Sequence, residues 1–271
     1  MKLKVDFKSS GGRMKADFGA VMQLSPEQKR EYESRIETLE KEKSLEYERG
    51  RKNEYDSFWD SYQDEGTLRN YSYAFSGRGW DDVSFDPKYD IITTNASHVF
   101  YYSQIGDLEA ILKKNGVKLD TSRATTTDCM FSYSTVTVVP ELDIRQSTDL
   151  SYMFYRALNL HTIRLLKLSE GGEQVFQSNT FLTCKALKNI RIDGFIGSDI
   201  SFKYSPLTYD SIHDIVFHLS IDIEPGSKTA VFSEEAVNKA FESSPGANDG
   251  STSDSWRDLR VARPMWIISC E

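Results

Sequence analysis

The residues with the widest chemical reach are four histidines, His98, His161, His213 and His218, and three cysteines, Cys129, Cys184 and Cys270. A zinc hydrolase would place two histidines on one helix face as HExxH, and a structural zinc site would bring paired cysteines. Neither spacing occurs. Asp214 and His218 lie one helical turn apart and could share a metal, but they read as a solvated helix face. There is no GxSxG elbow and no phosphate loop, and Gly77-Arg-Gly79 is too short to cradle a nucleotide. The acid pair Asp81-Asp82 reads as loop. An odd cysteine count without CxxC points to free, buried thiols in a reducing compartment. The expectation is therefore a chain that is not an enzyme and takes no metal and no cofactor.

What remains is the chemistry of recognition. Tyr101, Tyr102, Tyr133, Tyr155, Arg156 and Tyr204 fall one or two residues after a repeated phenylalanine, together with Ser132, Leu182, Thr183 and Lys203. If the repeats stack, these positions form columns on one face. Exposed Tyr and Arg there suit a sugar or protein partner, because flat rings offer contact area at little entropic cost. The alternative is that the tyrosines lean on neighbouring turns and only cover the core.

The phrase that positions them is Phe, two residues, a small residue, then an aliphatic. It occurs at Phe100/Ser103/Ile105, Phe131/Ser134/Val136, Phe154/Ala157/Leu160, Phe181/Cys184/Leu187 and Phe202/Ser205/Leu207, with steps of 31, 23, 27 and 21 residues. Tyr71-Ser-Tyr-Ala-Phe75 is a degenerate first copy. Periods of this size signal stacked supersecondary units. Phe100, Phe131, Phe154, Phe181 and Phe202 are the structural anchors, and the small residue lets one turn sit against the next.

The surrounding chain supplies ends and connections. Residues 1–24 alternate as a β unit for attachment. Ser25-Pro26-Glu27-Gln28 starts a charged helix with a capping box. Over 25–65 it is first a polar stalk and then a cap, with Tyr55, Phe58, Trp59 and Tyr62 on one stripe. Residues 66–207 hold the repeats. Val117–Asp120, Val138–Ile144, Ile163–Leu168 and Ile190–Asp193 read as short strands, and Asp107 to Asn115 as an inserted helix stopped by Gly116. Residues 208–271 read as an α/β cap, with a helix from Thr208 or Tyr209, a strand at Ile221-Asp-Ile223, a helix capped by Ser233, a loop over 243–253 and a closing strand from Met265.

The chain has 271 residues, a net charge of -8 and 39% hydrophobic residues. Its mean hydropathy is -0.50. The acidic balance disfavours nucleic acid and anionic lipid as partners. No apolar run approaches the roughly 20 residues of a membrane span, and no signal peptide or wall-anchoring tail is seen, so membrane insertion is not expected.

Asp120-Thr-Ser-Arg-Ala-Thr-Thr-Thr-Asp128-Cys-Met-Phe131 and Asp143-Ile-Arg-Gln-Ser-Thr-Asp-Leu-Ser-Tyr-Met-Phe154 resemble the LDTSNVTDMSYMF phrase of BspA-like bacterial surface leucine-rich repeats. That resemblance implies an α+β protein whose centre is a short, irregular leucine-rich-repeat β-solenoid capped by helices, with an N-terminal β unit and a long charged helix. The wider arrangement, with Glu54-Tyr-Asp-Ser-Phe-Trp, Phe75-Ser-Gly-Arg-Gly-Trp80, Pro87-Lys-Tyr-Asp-Ile91 and Trp266-Ile-Ile-Ser, resembles tail or baseplate components of phages of Gram-positive gut bacteria. It implies a virion protein released by lysis. Such a protein would bind host surface glycan or protein, or neighbouring virion proteins, and would form a homo-oligomer through residues 1–50. The rival expectation is a bacterial surface adhesin.

Overall fold

The computed structural model describes residues 25–60, 69–77, 85–172, 175–177, 179–242 and 255–271. The expected β unit at 1–24, Tyr62 of the aromatic stripe, Trp80 and the 243–253 loop lie outside them. Two compact units divide between Gly50 and Arg51. In the first, helix α1 (Pro26–Asp60) begins after Ser25 and runs past Gly50. Ile36 and Leu39 are half-buried there, whereas Leu45 and Tyr47 are exposed.

Among the described residues of the second unit, nine short strands are all paired in parallel: β1 (Arg69–Asn70), β2 (Ile91–Asn95), β3 (Leu119–Asp120), β4 (Val138–Asp143), β5 (Thr162–Lys167), β6 (Asn189–Asp193), β7 (Ile200–Phe202), β8 (Lys228–Phe232) and β9 (Trp266–Cys270). They form three separate three-stranded sheets, β1-β2-β3, β4-β5-β6 and β7-β8-β9. Four more helices are interspersed: α2 (Leu108–Asn115), α3 (Tyr209–Phe217), α4 (Glu234–Glu242) and α5 (Trp256–Val261).

This corrects the expected leucine-rich-repeat β-solenoid. The molecule is α+β, with three small parallel sheets and five helices among the described residues. The physical reason lies in the short ladders. β3 is two residues long, with α2 in the connection just before it. Beyond β6 the chain turns at Gly194 and Gly197, where backbone passes too close for a side chain. A Cβ on Gly194 would lie 2.2 Å from Leu168 O, and one on Gly197 2.4 Å from Gly172 O. The anchors are also phenylalanines, and what runs through the unit is a column of rings.

Trp59 stacks on Phe75 with centroids 5.1 Å apart. Phe75, Phe100, Phe131, Phe154, Phe181, Phe202 and Phe232 then follow at 5.6, 5.2, 5.5, 5.4, 4.5 and 6.0 Å. All interplanar angles in the Phe series are 29° or less. Every one of these rings is buried. The small residue of the phrase closes onto this column. Ser103 Oγ donates to Phe75 O, and the Cys184 thiol donates to Phe154 O across 3.0 Å. Phe58 meets Phe75 edge-on at 5.4 Å. At the other end Trp256 meets Phe232 edge-on at 5.6 Å.

Helix ends follow their caps. Asp107 accepts from Ala110 N at the start of α2, and Gly116 closes it in the left-handed region at φ 66°. Ile221-Asp-Ile223 is a bend and not the expected strand; β7 and β8 carry the pairing there instead. Phe202 differs from its counterparts because it sits in strand β7 and not in a turn.

Candidate functional site

Most of the phrases fold as overlapping tight turns, and this local geometry builds the surface. Tyr101 N donates to His98 O at 3.1 Å and Ser103 N to Phe100 O at 3.2 Å. The alternate amides reach the next turn: His98 N to Asp128 O (3.0 Å), Phe100 N to Met130 O (2.9 Å) and Tyr102 N to Ser132 O (3.0 Å). The pattern repeats one turn on, where Cys129, Phe131 and Tyr133 donate to Ser151, Met153 and Tyr155 at 3.0, 2.8 and 2.8 Å. Backbone groups are thus paired without regular strands, as burial requires.

The alternation forces left-handed backbone two residues before and two after Phe100, Phe131 and Phe154, and at one such position beside Phe75 and Phe181. These are Tyr73, His98, Tyr102, Cys129, Tyr133, Tyr152, Arg156 and Thr183, with φ between 53° and 65°. For L-residues other than Gly, Asn and Asp this costs roughly 1–2 kcal/mol each. Glycine would relieve that strain, yet the four exposed positions hold tyrosine (Tyr73, Tyr102, Tyr152) and arginine (Arg156). Strain kept at a solvent-facing position is a pointer to a binding role.

The side chains form a continuous strip. Tyr73 stacks on His98 (4.3 Å, 17°), and His98 leans on Tyr101 at 5.2 Å. Tyr101 meets Tyr102 edge-on at 4.7 Å, and Tyr102 stacks on Tyr133 at 4.4 Å and 7°. Tyr155 then meets Tyr133 at 5.3 Å and Tyr152 at 5.4 Å, both edge-on. The Arg156 guanidinium lies 5.5 Å from the Tyr133 centroid and 5.7 Å from that of Tyr155. Tyr73, Tyr102, Tyr152 and Arg156 are exposed, while Tyr101, Tyr133 and Tyr155 are half-buried. Desolvation, with help from a hydrogen bond to Tyr155, raises the Tyr133 phenol above its ordinary pKa, and the Arg156 charge opposes this.

Five of the six residues singled out from the sequence therefore lie together. Tyr204 does not join them in ring contact. It stands beside Lys203, whose Nζ is 5.8 Å from its ring and 2.8 Å from Glu271 Oε2. It lines a separate cleft of about 1070 Å3 with Lys185, Lys188, Tyr209 and Lys239. Of the other aligned residues, Ser132 is buried and Leu182 and Thr183 are half-buried. Sequence reasoning missed Tyr73, His98 and Tyr152. The available signal was the position two before each phenylalanine, which carries a ring in three of the first four copies.

Asp214 and His218 are each half-buried: Asp214 Oδ2 accepts from Ile192 N at 2.7 Å, tying α3 to β6, while His218 Nδ1 lies 2.7 Å from the Asp214 carbonyl oxygen at the end of α3 itself. The three cysteines are free thiols. Next to the strip, His98, Asp128 and Cys129 bring three potential ligand atoms within 4.8 Å of one another.

No protein-family model matches the chain, and no curated protein or solved structure is similar to it.

Proposed function

We propose that the chain is a non-enzymatic attachment protein, of the kind phages carry at the tail tip or baseplate. In this reading it docks a protein partner along the strip from Tyr73 to Arg156. The observation that carries the reading is the strip itself: rings and a guanidinium held in order on strained backbone, with four members exposed. Tyr and Arg are the residues that dominate protein–protein hot spots. A sugar would need open ring faces. Here Tyr102 covers one face of Tyr133, and Tyr73 lies over His98. The exposed members are Tyr73, Tyr102, Tyr152 and Arg156, whose phenols and guanidinium suit a partner rich in hydrogen-bonding groups. The virion setting is supported by the resemblance of the segments around Glu54, Phe75, Pro87 and Trp266 to tail components. Residues 1–50 would join copies of the chain.

Mass spectrometry of purified particles tests the setting; the chain is expected in intact virions. Its absence there, with recovery from the wall fraction of uninfected cells, would move it to the bacterial adhesins. Binding of the labelled full-length protein to host cells tests the partner. Protease-shaved cells are expected to lose binding and periodate-oxidised cells to keep it. The reverse result overturns a protein partner in favour of glycan. The Tyr102→Ala, Tyr133→Ala double variant is expected to bind about tenfold or more weakly.

A further inference from the structure

We propose that His98, Asp128 and Cys129 form a binding site for a zinc-class divalent cation, shared between two adjacent turns of the ladder. His98 comes from the turn of Phe100, and Asp128 and Cys129 from the turn of Phe131. Backbone bonds lock the two turns together here, His98 N donating to Asp128 O at 3.0 Å. His98 Nδ1 and Asp128 Oδ2 stand 3.6 Å apart. Two ligands on a tetrahedral zinc, each about 2.1 Å from the metal, are separated by about 3.4 Å. That pair is already at metal-binding distance, and the third ligand atom lies within 4.8 Å of both.

The surroundings fix each ligand. Thr126 Oγ1 donates to Asp128 Oδ1 at 2.7 Å, which leaves Oδ2 toward the histidine. The His98 ring is held against Tyr73 at 4.3 Å and Tyr101 at 5.2 Å. Ser97 Oγ lies 2.7 Å from His98 Nδ1 and would turn aside when that nitrogen takes a metal. All three ligands are half-buried, so an ion can enter. The nearby Asp149 is committed elsewhere, its Oδ1 accepting from Ser151 N and Oγ. One thiol, one imidazole and one carboxylate select a borderline cation such as zinc over calcium or magnesium, which prefer oxygen alone. The fourth position stays open to water or to a group from a docked partner.

The chemistry balances with one proton. Binding exchanges the S–H proton for an S–metal bond and releases one H+ to solvent.

The test uses the full chain and cobalt(II) as a visible stand-in for zinc. A thiolate-to-cobalt charge-transfer band with intense tetrahedral d–d absorption is expected, and zinc should bleach it. Cys129→Ser should abolish the band, His98→Gln should weaken binding at least about tenfold, and Cys270→Ser should change nothing. No band in the natural protein, a band that survives Cys129→Ser, or one lost with Cys270→Ser would each overturn the site. Should Cys129→Ser fail to fold, alkylation of Cys129 in the natural protein, read by peptide mass, decides the matter. Zinc must slow it; an unchanged rate overturns the proposal.

Discussion

Single positions in this chain are governed by how closely one turn passes the next. Gly194 sits at φ 94°, and any Cβ there would meet Leu168 O. Gly194→Ala is expected to cost roughly 3 kcal/mol from backbone strain and overlap together. Gly116→Ala, with left-handed φ but open space around it, is expected to cost about 1 kcal/mol. Thermal unfolding of the two variants side by side checks the contrast. Asp143 gives a pH signature. Hydrogen bonds from Arg145 hold its carboxyl below the usual range, with Lys167 adding to the effect. A folded-state pKa below the unfolded one stabilises the native state above about pH 3.9, and that stabilisation is lost as pH falls through the folded value. Asp143→Asn should therefore be less stable than the natural protein at pH 7, with the gap closing below about pH 4 in denaturant titrations. Residue patterns made the anchors legible, since the same type fills the same slot each time. They hid most of the left-handed positions, because tyrosine, cysteine, arginine and threonine carry no left-handed signature as Asn or Gly does.

At the scale of elements, the ring column and its end pieces share the work. Phe131→Ala removes a fully buried ring from mid-column and is expected to cost about 3–5 kcal/mol. Trp59→Ala should cost a similar amount but act locally. Hydrogen exchange is expected to quicken at the amides of Tyr73 and Phe75, with little change in β5. Equal acceleration throughout would contradict a local role for Trp59. The inserted helix α2 was readable from Asp107 and Gly116 because caps are local chemistry. The division into three sheets was not. Whether adjacent strands pair depends on connections such as α2 and on close passages such as Gly172 against Gly197, which no window of sequence reports. Phe202 makes the same point, since one phrase gave a strand where the others gave turns.

For the whole molecule, the division at Gly50 separates a charged helical segment from the ring-filled unit. Light scattering of the full-length protein at rising concentration is expected to show self-association. A monomer throughout would remove the assembly role proposed for residues 1–50. The aromatic strip was legible in part. Five of its residues stand in the sequence at fixed offsets from the phenylalanines, but that they meet ring to ring follows only from the structure.

The column of seven phenylalanines has an optical consequence. Near-parallel benzene chromophores about 5 Å apart couple their transition dipoles, so the near-ultraviolet circular dichroism of this protein should carry an unusually strong vibronic signal in the phenylalanine region. That signal belongs to the ordered array and not to any one ring. Replacing a ring in the middle should lower it by more than one seventh, which makes the spectrum a direct gauge of how much of the stack is intact.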